Sequence, residues 1–260
     1  LIQLPDSATF AATLSDGHFA AAAAIALLAG VVRGFSGFGS ALIYVPLIAA
    51  VYEPRIATVS YALMDVICIA PLALRALRQC HWREVIPAIA VSFFTVPLGT
   101  MMQNALDPVI LRWIMAGFVF AFVALLTSGW RYPWPPSALA AGAVGALSGF
   151  AGGAVQMAGP PAILYWLGSP SGARIVRANL MAFLFPLGLN LLVSYGWHGL
   201  MTAKPIALAV LLWPVYILAL FVGVRAFHGA TEATYRRIAY AIVMLAALVS
   251  LPLFDRVLHW

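Results

Sequence analysis

The chain has 260 residues, of which 64% are apolar or aromatic and 8% carry a formal charge. Too few polar side chains remain to cover a soluble domain of that size, and disorder would need low hydrophobicity and high charge. The net charge of +6 is scattered instead of gathered on a basic face, which excludes a nucleic-acid binder.

Lipid is therefore the expected solvent. Only helices and closed barrels satisfy their backbone groups in hydrocarbon. The chain lacks the ten-residue alternation of a transmembrane barrel. It shows long uncharged runs instead, such as 85–106, 178–203 and 205–224. Each is close to the twenty or so residues that cross a bilayer core. The fold class expected is all-α, a polytopic integral membrane protein.

Residues 1–17 lack a basic n-region and are read as an N-terminal extension, not a secretory signal. Apolar segments follow near 18–33, 37–52, 56–76, 85–105 and 110–130. A second set falls near 137–151, 154–168, 175–196, 205–225 and 235–254. The segments beside each glycine cluster are short enough to be half-helices, so eight to ten spans are expected.

The two sets resemble each other in order. Ser36-Gly37-Phe38-Gly39-Ser40 is matched by Ser148-Gly149-Phe150-Ala151-Gly152, and Arg55-Ile56 by Arg174-Ile175. Pro87 and Pro97 are matched by Pro205 and Pro214, and Asp107 to Arg112 by Thr231 to Arg236. This indicates a duplication, with domains at 18–131 and 132–260. Five crossings per half would invert the second repeat. The Lys/Arg bias agrees: the loop with Arg75, Arg78 and Arg83 reads as cytoplasmic, and the loop with Lys204 as external. Inverted repeats with broken helices recur in secondary transporters.

Candidate chemistry lies at the breaks. Glycine lets the backbone leave the helix and approach a ligand. The exposed N–H groups at a helix start favour an anion. Gly37, Gly39, Gly149 and Gly152, with Ser36, Ser40, Ser148 and Gln156, are the expected anion-binding set, and the two clusters are expected to face one another. Arg33 adds charge if it lies deep. Small-xxx-small spacing at Gly30/Gly34 and Gly145/Gly149 equally supports helix packing. Ser60, Asn179 and Asn190 are polar candidates within apolar segments. Asp65, ten residues into its segment, is the intramembrane acid and the candidate proton carrier.

The five histidines do not cluster, and Cys68 and Cys80 fit no metal spacing. Neither a P-loop, an H-E-x-x-H pair nor a G-x-S-x-G elbow occurs. No catalytic residue, metal or cofactor is expected, and the chain is read as a non-enzyme. A passive anion channel and an intramembrane enzyme are the competing classes.

The break from Gly34 to Ser40, the following stretch with Pro46, the Ala57-Thr58-Val59-Ser60 segment and their recurrence resemble the TauE/SafE family of sulfite-exporting permeases. The resemblance covers nearly the whole chain, with departures at Phe35, Phe38 and Ser40. It implies movement, commonly outward, of small sulfur-containing anions such as sulfite, sulfoacetate or other sulfonates, across a bacterial inner membrane. The expected partners are that anion and the bilayer, with a homo-oligomer left open.

Overall fold

A computed structural model describes residues 2–36, 39–130, 132–133, 137–169, 171–226 and 232–254. The expectations for Gly37 and for the Ser36 side chain fall outside the described residues. The helices are α1 (Ser7–Leu14), α2 (Phe19–Ser36), α3 (Ser40–Val51), α4 (Pro54–Ala76), α5 (Trp82–Ala105) and α6 (Pro108–Thr127). They continue with α7 (Ala138–Val155), α8 (Gly159–Leu167), α9 (Ala173–Trp197), α10 (Ala203–Ala226) and α11 (Glu232–Val249), then a 3-10 turn. No strand occurs among the described residues.

Each of the ten expected apolar segments is a helix. The extra one is α1, capped by Asp6, whose carboxylate accepts from the Thr9 N–H at 2.8 Å and the Thr9 hydroxyl at 2.6 Å. The Thr9 hydroxyl, then the Thr9 N–H, hold the Asp6 carboxyl below its ordinary range.

Among the described residues, α5, α6, α7, α9 and α10 are long and apolar enough to cross a membrane. The pair α1 and α2, bent by 84°, is a sixth candidate. The sequence suggested eight to ten. Part of the difference falls on α3 and α8. At 12 and 9 residues they rise roughly 18 and 13 Å, about half of a bilayer core.

Two compact units form. Unit 1 takes Leu1–Met64, Leu106–Ala124 and Gly199–Trp260; unit 2 takes Asp65–Ala105 and Leu125–His198. The units do not coincide with the sequence halves. In unit 1, α10 lies along α2; in unit 2, α5 lies along α7.

Both pairs meet through glycine. A methyl group at Gly34 would collide with the Leu220 carbonyl oxygen, and would lie 2.8 Å from Val224 N and 2.9 Å from Gly223 Cα. A methyl at Gly153 would collide with the Val96 carbonyl oxygen, and would lie 2.8 Å from Thr100 N and 3.0 Å from Gly99 Cα. Small residues let backbones approach this closely.

These contacts and the helix starts recur at fixed steps. Gly34 to Gly153 is a step of 119 residues. The same step takes the end of α2, Ser36, to the end of α7, Val155. It also takes the starts of α3 and α4, Ser40 and Pro54, to those of α8 and α9, Gly159 and Ala173. Val96, Gly99 and Thr100 map to Leu220, Gly223 and Val224 by a step of 124, which also takes the start of α6 to that of α11. At the step of 119, Ser36 aligns with Val155, seven positions beyond Ser148, the partner expected from sequence.

In unit 1, Arg112 of α6 is buried and donates from Nε and Nη2 to the Ser250 carbonyl oxygen at 3.1 and 2.9 Å. A cation on an orphan carbonyl just past the end of α11 offsets the negative end of that helix.

Candidate functional site

The first break lies in unit 1. α2 ends at Ser36, Gly39 has φ of 90°, and α3 starts at Ser40 without a side-chain cap. A residue with a Cβ is strained at that φ, so glycine is required there.

Four side chains from four helices meet beside this break. The Arg33 Nη1 group, in the last turn of α2, donates to Ser40 Oγ at 3.2 Å and to the Tyr61 hydroxyl at 3.3 Å. The Tyr216 hydroxyl, from α10, donates to Ser40 Oγ at 3.0 Å. Ser40 Oγ and the Tyr61 hydroxyl are 2.7 Å apart. With two donors on its oxygen, Ser40 must give its own proton to Tyr61. Tyr61 then accepts twice.

Ser40 and Tyr216 are fully buried, and Tyr61 is 3% exposed. The four contribute one fixed cation, three hydroxyls and no carboxylate. The start of α3 adds the partial positive charge of a helix N-terminus. The arrangement is rich in donors and positive in sign, which suits an oxyanion.

One turn along α3, the Tyr44 hydroxyl is 3.1 Å from Ser60 Oγ. Ser60 gives its proton to the Ala57 carbonyl oxygen, so Tyr44 is the donor. Its ring lies 5.6 Å from that of Tyr61.

The second break lies in unit 2, and not where the glycines suggested. Gly149, Gly152 and Gly153 remain helical, and α7 continues to Val155. The chain turns at Gln156, with φ of 58°. The Gln156 N–H reaches the Gly152 carbonyl oxygen, and the Met157 N–H reaches that of Ala151. This pairing ends a helix in the left-handed conformation. Gln156 pays a strain of about 1–2 kcal/mol there. The Tyr195 hydroxyl, in α9, donates to Gln156 Oε1 at 3.0 Å and to the Gly152 carbonyl oxygen at 3.2 Å.

The other unit 2 candidates separate. A Cβ on Gly149 would lie 2.9 Å from Ser92 Cα, so this glycine packs α7 on α5. A Cβ on Gly152 would lie 3.1 Å from the Ala158 methyl and 3.5 Å from Leu187 Cδ2. Ser148 is fully buried, and its hydroxyl has no partner among the described residues. Asn190 donates to the Phe93 carbonyl oxygen at 3.1 Å, joining α9 to α5. Asn179, fully buried, accepts from the His81 N–H at 2.8 Å and donates to Glu84 Oε2 at 3.1 Å. Asp65 is half-buried near the middle of α4.

The structure therefore brings together Arg33 and Ser40, adds Tyr61 and Tyr216, and seats Ser60 beside Tyr44. Sequence reasoning missed the tyrosines. The available signal was a hydroxyl deep in an apolar run, away from the segment ends where interfacial aromatics gather.

Residues 22–250 match the sequence model of the family described as Sulfite exporter TauE/SafE. No curated protein and no solved structure matches the chain. The matched stretch begins within α2 and ends just past α11, so it contains both breaks, most of α2 and the whole of the other nine apolar helices. With its long apolar helices, the chain is an integral membrane protein and belongs to the TauE/SafE sulfite exporter family.

Proposed function

We propose that this protein is a secondary transporter of a bacterial inner membrane that moves small sulfur-containing anions, sulfite or organosulfonates, outward. The single observation that supports it most is the Arg33, Ser40, Tyr61 and Tyr216 cluster at the start of α3. An anion entering hydrocarbon loses its hydration shell, and a guanidinium with converging hydroxyls replaces those donors. In this reading Arg33 supplies charge, Ser40 and the two tyrosines fix orientation, and the Tyr44–Ser60 pair holds α3 against α4.

Asp65 is the proposed coupling carboxylate, because a lone acid in an apolar helix is costly without a purpose. The two halves are proposed to be inverted, on the Lys/Arg bias of their loops. Cysteine labelling beside Arg83 and beside Lys204 from opposite faces tests that orientation.

The functional test is flux from liposomes loaded with sulfite, sulfoacetate, sulfate or chloride, with and without a proton gradient. Sulfite or sulfoacetate flux that responds to the gradient supports a coupled transporter. Flux indifferent to the gradient supports a passive channel. Absence of flux for all four anions rejects the reading.

A further inference from the structure

The two half-helices are tethered differently. By the step of 119, Ser60 in α4 corresponds to Asn179 in α9. Ser60 reaches the first half-helix directly, through the Tyr44 hydroxyl on α3. Asn179 reaches the second through an ionisable intermediary. Its Nδ2 group donates to Glu84 Oε2 at 3.1 Å, and the indole Nε1 of Trp166, on α8, donates to the same oxygen at 3.1 Å. Glu84 is in the first turn of α5. One carboxylate oxygen thus joins α5, α8 and α9.

The setting is a built one. Asn179 and Trp166 are fully buried, and the Glu84 side chain is 16% exposed. The Asn179 carbonyl group is occupied by the His81 N–H, which fixes which end of the amide faces Glu84. The Trp166 ring is held against Phe183 of α9 at 5.5 Å between centroids. Among the described residues the groups facing Glu84 are few. His81 Nδ1, from the residue just before α5, is 3.3 Å from Oε1. The Tyr165 phenol approaches from α8. α7 carries no charged residue. On α9, Arg174 donates to Gln79, and Arg177 is exposed.

We propose that Glu84 is a positioning residue and proton-binding site: its ionised carboxylate holds half-helix α8 to α5 and α9, and its protonation releases α8. An ionised acceptor makes hydrogen bonds about twice as strong as a neutral one, and here two donors depend on one oxygen. Taking up a proton weakens both at once and converts Glu84 into a donor. The equivalent tether in the first half is two hydroxyls and carries no carboxylate. Protons therefore act on one half-helix and not on the other. The proposal rests on the transport reading only for its consequence, a pH-dependent step at the second break.

Hydrogen exchange of the full-length protein in detergent tests it without any substrate. Protection factors, corrected for the intrinsic pH dependence of exchange, are compared for α8 and for the flanking α7 and α9 between pH about 7.5 and about 3, where carboxylic acids in general pass from ionised to protonated. The expected result is a fall of at least about tenfold in α8 protection at the acid end, with α7 holding its own; tenfold corresponds to about 1.4 kcal/mol. In Glu84→Gln, whose carbonyl oxygen still accepts but does not titrate, α8 protection should not change with pH. Trp166→Phe keeps the ring packing and deletes one donor, so α8 should be weakly protected at both ends. An unchanged acid-induced loss in Glu84→Gln overturns the proposal. So does a pH-independent α8 in the wild type, or full protection with an intact pH response in Trp166→Phe. Loss of sulfite flux in liposomes would reject the transport reading and leave these exchange results standing.

Discussion

The Tyr216 hydroxyl donates to Ser40 Oγ at 3.0 Å, across 176 positions of sequence. The bond ties the first residue of half-helix α3 to α10, a helix of the other sequence half. It shares Ser40 with Arg33, so the guanidinium and the start of α3 are positioned by one hydroxyl.

Tyr216→Phe should preserve the fold and weaken anion transport. It deletes one neutral hydrogen bond, a loss of about 1 kcal/mol or roughly fivefold in apparent affinity. Concentration dependence of sulfite flux in liposomes reads it. An unchanged affinity would remove Tyr216 from the site.

The matching glycine crossings make a paired prediction. Gly99→Val and Gly223→Val should each lower thermal stability severely, because backbone atoms, not flexible side chains, meet the added groups. Gly117→Ala, with open space around its added methyl, should be neutral or stabilising. Thermal denaturation followed by size exclusion in detergent separates the two classes.

Arg112→Ala should destabilise the protein by about 1.5–3 kcal/mol, the range for a charge-assisted bond whose buried acceptor is left behind. Arg112→Lys should recover only part, since lysine lacks the fork that reaches Ser250 from two nitrogens. The midpoint of thermal unfolding in detergent measures both.

Asp65→Asn should leave sulfite binding intact and abolish the response of flux to a proton gradient. The test is flux at matched and opposed pH across the liposome. A mutant that still follows the gradient assigns Asp65 to helix packing instead.

Much of this fold was legible in sequence because apolar runs in lipid leave little choice but helix. All ten segment positions match helices. α1 escaped because eight residues capped by Asp6 carry no span-length pattern. The second break was misplaced because Gly149 and Gly153 look like helix breakers, yet they are the residues that let α7 lie on the backbone of α5. The true turn uses a left-handed glutamine, which composition does not advertise. Arg33 and Ser40 stood beside a visible glycine break. Tyr61 and Tyr216 did not, because a tyrosine in an apolar run reads as core until a neighbouring helix brings it a partner.

In the proposed function the cluster at the start of α3 handles the anion, and among its described side chains Arg33 is the one fixed charge. Sulfite efflux from liposomes containing Arg33→Gln, compared with the wild type at equal reconstituted amounts, tests it most directly. The account predicts a folded, monodisperse variant with efflux reduced at least about tenfold, as expected when a charge-assisted contact becomes a neutral one in a low-dielectric site. Wild-type efflux from a well-folded Arg33→Gln protein would contradict it.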